Sequence, residues 1–231
     1  MQHFMQLTYF PLWAKGPGPA LALAHSGLRW RGVFPEDWAS LKPQTAWSKL
    51  PILQVDNGPS SLTVAHELAI MSYIGRAVPE MGGTTDSDLT SSLQVMCECE
   101  DIYAKLTKFQ PTTRQPEKCP PRDLNALWSA SDSAAHNRDQ GLQINLENLN
   151  AFARLDGRFS STGTVTVGDC KLFATLHTLS LIEPDVLIPH ARLRTFYDRF
   201  SSLDATAAVL ENGGNFPGPF QQYFIRGEGQ P

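Results

Sequence analysis

Apolar and polar positions along the first third of the chain follow strand-like and short helical patterns, and after that a helical period takes over. Phe4 to Phe10 has the aromatic and β-branched content of a strand, which Pro11 ends. Lys15-Gly-Pro-Gly-Pro19 reads as a rigid loop. Ala20 to Ser26 is short and Ala/Leu-rich, with Pro19 at the favoured first helical position and Gly27 where a left-handed cap belongs, so it predicts a helix. Leu28 to Phe34 returns to a strand. Strand, helix and strand within some thirty residues make a βαβ unit, whose two strands are normally parallel.

A short irregular helix is expected over Pro35 to Lys42, followed by the apolar run Lys49 to Asp56, dense turn chemistry from Asp56 to Ser61, and an extended stretch at Leu62 to Val64. Together these predict an antiparallel hairpin. Leu68, Ile70, Met71 and Ile74 then fall at helical spacing within His66 to Arg76. The order βαβ then ββα is a thioredoxin-like layout, a mixed sheet with helices on its faces. Pro79 to Asp86 is the clearest linker. Beyond it Leu89, Leu93, Met96, Ile102, Leu106 and Phe109 keep a helical period, Gln110 to Arg122 is a proline-rich break, and a long helix resumes near Asp123 towards Arg154. Thr166 and Asp169 form a capping-box pattern ahead of the apolar segment Cys170 to Ile182, Pro189 to Phe200 predicts another helix, and Gly213 to Pro231 reads as irregular. The expected organisation is a thioredoxin-like domain over residues 1–78, a linker over 79–87 and an all-helical domain over 88–231.

Composition narrows the function classes. The 231 residues hold 19 Lys+Arg against 23 Asp+Glu, a formal net charge of −4, so no broad cationic field exists to attract nucleic acid or anionic lipid. No run approaches the ~18 consecutive apolar residues of a membrane span, and Met1 to Met5 has neither a basic nor a long apolar leader, which predicts a cytoplasmic protein without membrane insertion. Four cysteines are too sparse for a disulfide scaffold, and Cys97 and Cys99, two apart on a helix, point in different directions. The six histidines form no His-x-x-x-His pair, so no metal is expected.

Several motifs, in order and spacing, resemble the cytosolic glutathione S-transferase family, most of all its sigma and pi classes. They are Leu7-Thr-Tyr-Phe10, Asp37-Trp38 with Lys42, Lys49-Leu-Pro-Ile-Leu-Gln-Val-Asp56, Cys99-Glu-Asp101, Leu146-Glu-Asn-Leu149, Thr166-Val-Gly-Asp169 and His190 to Phe200. The resemblance covers nearly the whole chain. It implies glutathione as co-substrate, a small hydrophobic electrophile as acceptor, a role in detoxification and a homodimer. Tyr9 would be the catalytic residue, its hydroxyl stabilising the glutathione thiolate, because a free thiol is mostly protonated at neutral pH and the anion is the nucleophile. Leu50-Pro51 would be a cis turn presenting the Leu50 backbone to the extended peptide. Trp38, Lys42 and Lys49 would surround the glycine carboxylate, Lys15 falls at a second basic position, and Asp101 would reach the γ-glutamyl amine in the neighbouring subunit.

The chain departs from the family at the γ-glutamyl end. Where the family reads Gln-Ser before the third helix, with a hydroxyl and helix N-terminal amides for the γ-glutamyl carboxylate, this chain reads His66-Glu67. An ionised Glu67 would set like charge against that carboxylate or take the amides itself. Trp13 also stands where those classes have an arginine. A non-catalytic module that keeps the fold for assembly therefore stays open beside the enzyme: Tyr9, Trp38, Lys42, Lys49 and Pro51 favour the enzyme, Glu67 and Trp13 the module.

Overall fold

A computed structural model of the chain describes residues 4–56, 61–109 and 141–225. The turn residues 57–60, the proline-rich stretch 110–122, the start of the helix expected from Asp123, and the last six residues lie outside this range.

The first half is a four-stranded sheet in the order β3-β1-β4-β5, formed by β1 (Phe4–Thr8), β3 (Arg29–Val33), β4 (Ile52–Asp56) and β5 (Ser61–Ala65). Strand β3 runs parallel to β1, whereas β4 and β5 are antiparallel to their neighbours, as the βαβ-ββα order predicts. Alternation sorts the two faces. Met5, Leu7, Leu53 and Val55 are fully buried, while Gln6 stands opposite both Arg31 and Gln54 and hydrogen-bonds with each on the outer face.

Helix α1 (Pro17–Ser26) starts three residues before the expected Ala20, and it is Pro17 that takes the first helical position. Pro19 is tolerated because the first turn of a helix has no partner for its amides anyway. Gly27, at φ 71°, closes the helix with a left-handed cap. The irregular segment after β3 contains α2 (Trp38–Leu41), capped by the Asp37 carboxylate, which accepts from the Ser40 N–H. Helix α3 (Glu67–Ala77) follows the hairpin. The stretch read as a linker holds one helical turn, α4 (Pro79–Gly82), opened by a proline.

Helices dominate the rest: α5 (Asp86–Phe109), α6 (Leu142–Phe152), α7 (Val167–Ile182), α8 (Ala191–Ser201) and α9 (Asp204–Asn212). Helix α7 is the axis of the molecule. It packs on α5, α8, α1 and α3, and it is buried almost all round, as a helix apolar on every face must be. Its start is the predicted capping box: the Thr166 hydroxyl accepts from the Asp169 N–H at 3.2 Å, and Asp169 accepts from the Thr166 N–H at 2.8 Å. The C-terminal stretch is not wholly irregular. Gln221–Gln222 (β6) pairs in parallel with Leu12–Trp13 (β2), where Phe220 meets Trp13 edge-on and Phe216 stacks on Phe34.

Candidate functional site

Tyr9 is the first residue beyond β1, tied in by its own N–H donating to Val33 at 3.1 Å. Its ring lies against Gly16, where any Cβ would collide with it. The Tyr9 oxygen accepts a hydrogen bond from the main-chain N–H of Lys15 at 2.9 Å. Phe10 stands edge-on to both Tyr9 and half-buried Trp38, with ring centroids 5.8 and 5.5 Å apart. Leu50-Pro51 is cis and leads directly into β4. These residues thus gather at the end of the sheet where β1 stops and α3 begins.

His66 takes the N-cap of α3 with φ 71° and ψ 136°, a backbone state that costs a non-glycine residue about 1–3 kcal/mol and is found mostly at functional sites. Its side chain is exposed and makes no capping hydrogen bond. Trp47, 74% exposed, reaches towards it, with ring centroids 6.1 Å apart. Lys42, Lys49 and Asp101 are exposed.

Glu67 does not lie where a like charge would face an incoming carboxylate, nor does it take the helix amides. Its side chain turns inward, and Oε2 accepts from the ammonium of Lys171 on α7 at 2.7 Å. Oε1 is buried against Gly18 with no hydrogen-bond partner among the described residues. Lys171 also donates to Glu100 on α5 at 2.7 Å, and Glu100 accepts from Lys15 through both oxygens at 2.8 and 2.6 Å. Lys15 and Glu67 stand 3.5 Å apart, and the Lys15 ammonium sits 4.2 Å over the Tyr103 ring. Two carboxylates and two ammoniums therefore alternate in a compact, neutral cluster.

Burial raises the Glu67 carboxyl, and the Lys171 charge only partly offsets it. Burial opposes the charge on Lys171, but Glu67 and Glu100 outweigh that and hold its ammonium above the usual range. Burial also pushes Glu100 up, yet Lys171 and Lys15 together bring it down to about 2. Burial drives Cys99, whose thiol lies in the same region, up to about 12, so it is a packing residue and not a nucleophile. Cys97, on the other side of the helix, is exposed.

Trp13 is likewise turned inward. Its indole N–H donates to the Ala174 carbonyl at 3.1 Å, and its ring meets His177 and Phe220 edge-on. Of the residues singled out in the sequence, Tyr9, Lys15 and Glu67 are brought into one network, Trp38 joins it through Phe10, and Lys42, Lys49 and Asp101 stay at the surface. Sequence reasoning missed Lys171, Glu100 and Tyr103. The signal for Lys171 was present: a lone lysine in the otherwise apolar run Cys170 to Ala174 must find an anion or stay out of the core.

Comparison with known proteins bears on the fold. No family model matches the chain. It is similar to Glutathione S-transferase 1 of Ascaris suum, at 26% identity over 207 residues covering 86% of this chain and 91% of that protein. Among solved structures, it superimposes on the glutathione S-transferase of Ascaris lumbricoides with a TM-score of 0.67, 23% identity and coverage of 89% and 95% of the two chains. A Pi-class glutathione S-transferase of Onchocerca volvulus gives a TM-score of 0.68 at 18% identity, covering 90% and 91%. The mixed sheet followed by a helical half is thus the glutathione-transferase fold. With its motifs in the family order and a relative at 26% identity along most of its length, the chain resembles the cytosolic glutathione S-transferase family.

Proposed function

We propose that the protein is a cytoplasmic glutathione transferase that uses Tyr9 to hold the thiolate of glutathione for attack on a small hydrophobic electrophile, by conjugation or by glutathione-dependent isomerisation. The observation that carries this reading is the Lys15 amide on the Tyr9 oxygen. An N–H donor there stabilises the negative charge that the phenol oxygen gains as its proton is drawn towards sulfur, so the hydroxyl becomes a stronger donor. In the step itself the thiol proton passes to solvent and the sulfur bonds the electrophilic carbon while the bond to a leaving group breaks and its electron pair departs with that group. In an addition, the π bond opens instead and the resulting anion takes a proton from solvent. The Tyr9 hydrogen bond disperses charge on sulfur until the new bond is made.

Residues 1–78 would bind glutathione and 88–231 would wall the acceptor site, joined by 79–87. The Leu50 backbone beside cis Pro51 pairs with the cysteinyl unit, and Trp38, Lys42 and Lys49 receive the glycine carboxylate. The N-terminal amides of α3 beside His66 receive the γ-glutamyl carboxylate. This is compatible with Glu67 because its charge is turned inward onto Lys171. Lys15 is committed to Glu100 and acts from within the protein instead of reaching for ligand. The same partners weaken the reading as a non-catalytic module, since Glu67 and Trp13, which favoured it, each have a place in the packing.

A homodimer fits the surface of α5. Leu89, Leu93, Cys97 and Asp101 recur every four residues and are all exposed, the two leucines at 43% each. They run beside a cleft of about 350 Å³ between α3, α4 and α5. A second copy covering this apolar stripe would bring Asp101 near the other subunit's γ-glutamyl subsite. The enzyme reading is tested by Tyr9→Phe, which should lower turnover with a general electrophile about 10²-fold while glutathione affinity stays within a few-fold. Unchanged turnover would remove Tyr9 from the mechanism.

A further inference from the structure

The amide that holds the Tyr9 oxygen belongs to a residue whose side chain is itself fastened. Lys15 donates its main-chain N–H to Tyr9 and its ammonium to both oxygens of Glu100. Glu100 is shared with Lys171, and Lys171 with Glu67. The other end of the loop is fixed by Trp13, whose indole bonds the Ala174 carbonyl. Lys171 and Ala174 are three apart and lie on one face of α7, so both anchors of the Tyr9 loop end on the same turn of the buried helix.

We propose that Glu100 is a positioning residue for Tyr9: shared between Lys171 and Lys15, it fixes the loop so that the Lys15 amide stays on the phenol oxygen. The proposal rests on the reading of Tyr9 as the thiol-activating group and adds the device that tunes it. Among the described residues, the charged and titratable groups of the cluster beside Tyr9 include Lys15 on the loop, Glu67 on α3, Glu100 on α5, Lys171 on α7, and Tyr103 on α5, which Tyr9 and Tyr223 both face.

Replacing Glu100 by Gln separates positioning from plain electrostatics, because the two act in opposite directions. The amide oxygen of glutamine can still accept from Lys171, but its –NH₂ offers Lys15 nothing to bond. If Glu100 were only a nearby negative charge, its removal would make the Tyr9 phenol easier to ionise. If Glu100 fixes the loop, losing the Lys15 amide makes the phenol harder to ionise.

The experiment is an ultraviolet titration of ligand-free wild type and Glu100→Gln, each read against its Tyr9→Phe counterpart to isolate Tyr9. The expected result is an upward shift of Tyr9 by about half a pH unit or more in Glu100→Gln. Hydrogen exchange at the Lys15 amide should also be faster than in wild type. In turnover, the acid limb of kcat/KM for glutathione should move up in the same sense, with kcat falling more than KM changes. Lys15→Arg, which keeps a bidentate partner for Glu100, should titrate like wild type. A downward shift, or no shift with unchanged Lys15 exchange, overturns the proposal even if Glu100→Gln melts earlier. Absence of glutathione binding by wild type would defeat the enzyme reading, while the ligand-free titration would still decide this one.

Discussion

Removing the Lys171 ammonium should cost about as much stability as truncating a large buried apolar side chain. Lys171 is 2% exposed and donates at 2.7 Å to each of two carboxylates. In Lys171→Met the Glu67 side chain stays buried, with one oxygen already unpartnered and only Lys15, 3.5 Å away, left as a cation. Breaking a buried ion pair from one side costs about 3–5 kcal/mol, and the residual attraction from Lys15 puts the expected loss near the lower end, ~3 kcal/mol. Glu67→Met should cost less, on the order of 1–2 kcal/mol, because Lys171 keeps Glu100. The double variant Glu67→Met/Lys171→Met replaces the pair with apolar groups of similar volume and should return to within about 1 kcal/mol of wild type. Urea unfolding of the four proteins at neutral pH gives the coupling energy, expected to be at least ~2 kcal/mol. The pH dependence has a definite sign. Without Lys171 the folded Glu67 pKa rises further above its ordinary 4.5, so the Lys171→Met deficit is smallest below that value and grows as pH rises through the raised one. Additive single effects, or a deficit independent of pH, would refute the reasoning.

Three further outcomes follow from the packing. Asp169→Ala removes the acceptor of two buried bonds from Thr166 and should cost about 2–3 kcal/mol in thermal or urea unfolding. Asp169→Asn should cost less; because burial lifts the wild-type carboxyl to about 6, wild type should lose stability relative to this variant as pH rises from about 3.8 through 6. His177 is held down to about 4 by burial, so wild type should lose up to about 3 kcal/mol relative to His177→Gln as pH falls from 6.5 through 4, read from unfolding at several pH values. Leu93→Glu places a charge on the exposed stripe of α5 and should shift sedimentation from dimer to monomer at micromolar concentration; an unchanged dimer would place the interface elsewhere.

The sheet half was legible because its signals are local. Alternation in Phe4–Thr8 and Ile52–Asp56, proline and glycine punctuation around α1, and the Thr166–Asp169 box each act within a few residues. Errors there were shifts of a few positions, as at Pro17 and in the turn Pro79–Gly82. Residues 221–222 were not legible as a strand, because their pairing with Leu12–Trp13 depends on contacts some two hundred positions apart. The same applies to the charge cluster. Glu67 looked like a charge placed against a ligand, since its partner stands 104 residues later on another helix. Trp13 looked like a lost arginine, whereas its partner is a main-chain carbonyl that carries no mark in the sequence. Resemblance to a family singled out Tyr9, Trp38 and Pro51; the electrostatics joining the first of these to the interior required the fold.

The central claim, that Tyr9 in this fold binds and activates glutathione, is tested most directly by titrating reduced glutathione into wild type and Tyr9→Phe at neutral pH while following both the heat of binding and thiolate absorbance. Saturable binding by both proteins is expected, with affinities within a few-fold of each other and thiolate formed on wild type alone. No binding by wild type, or equal thiolate on the two proteins, would contradict the claim.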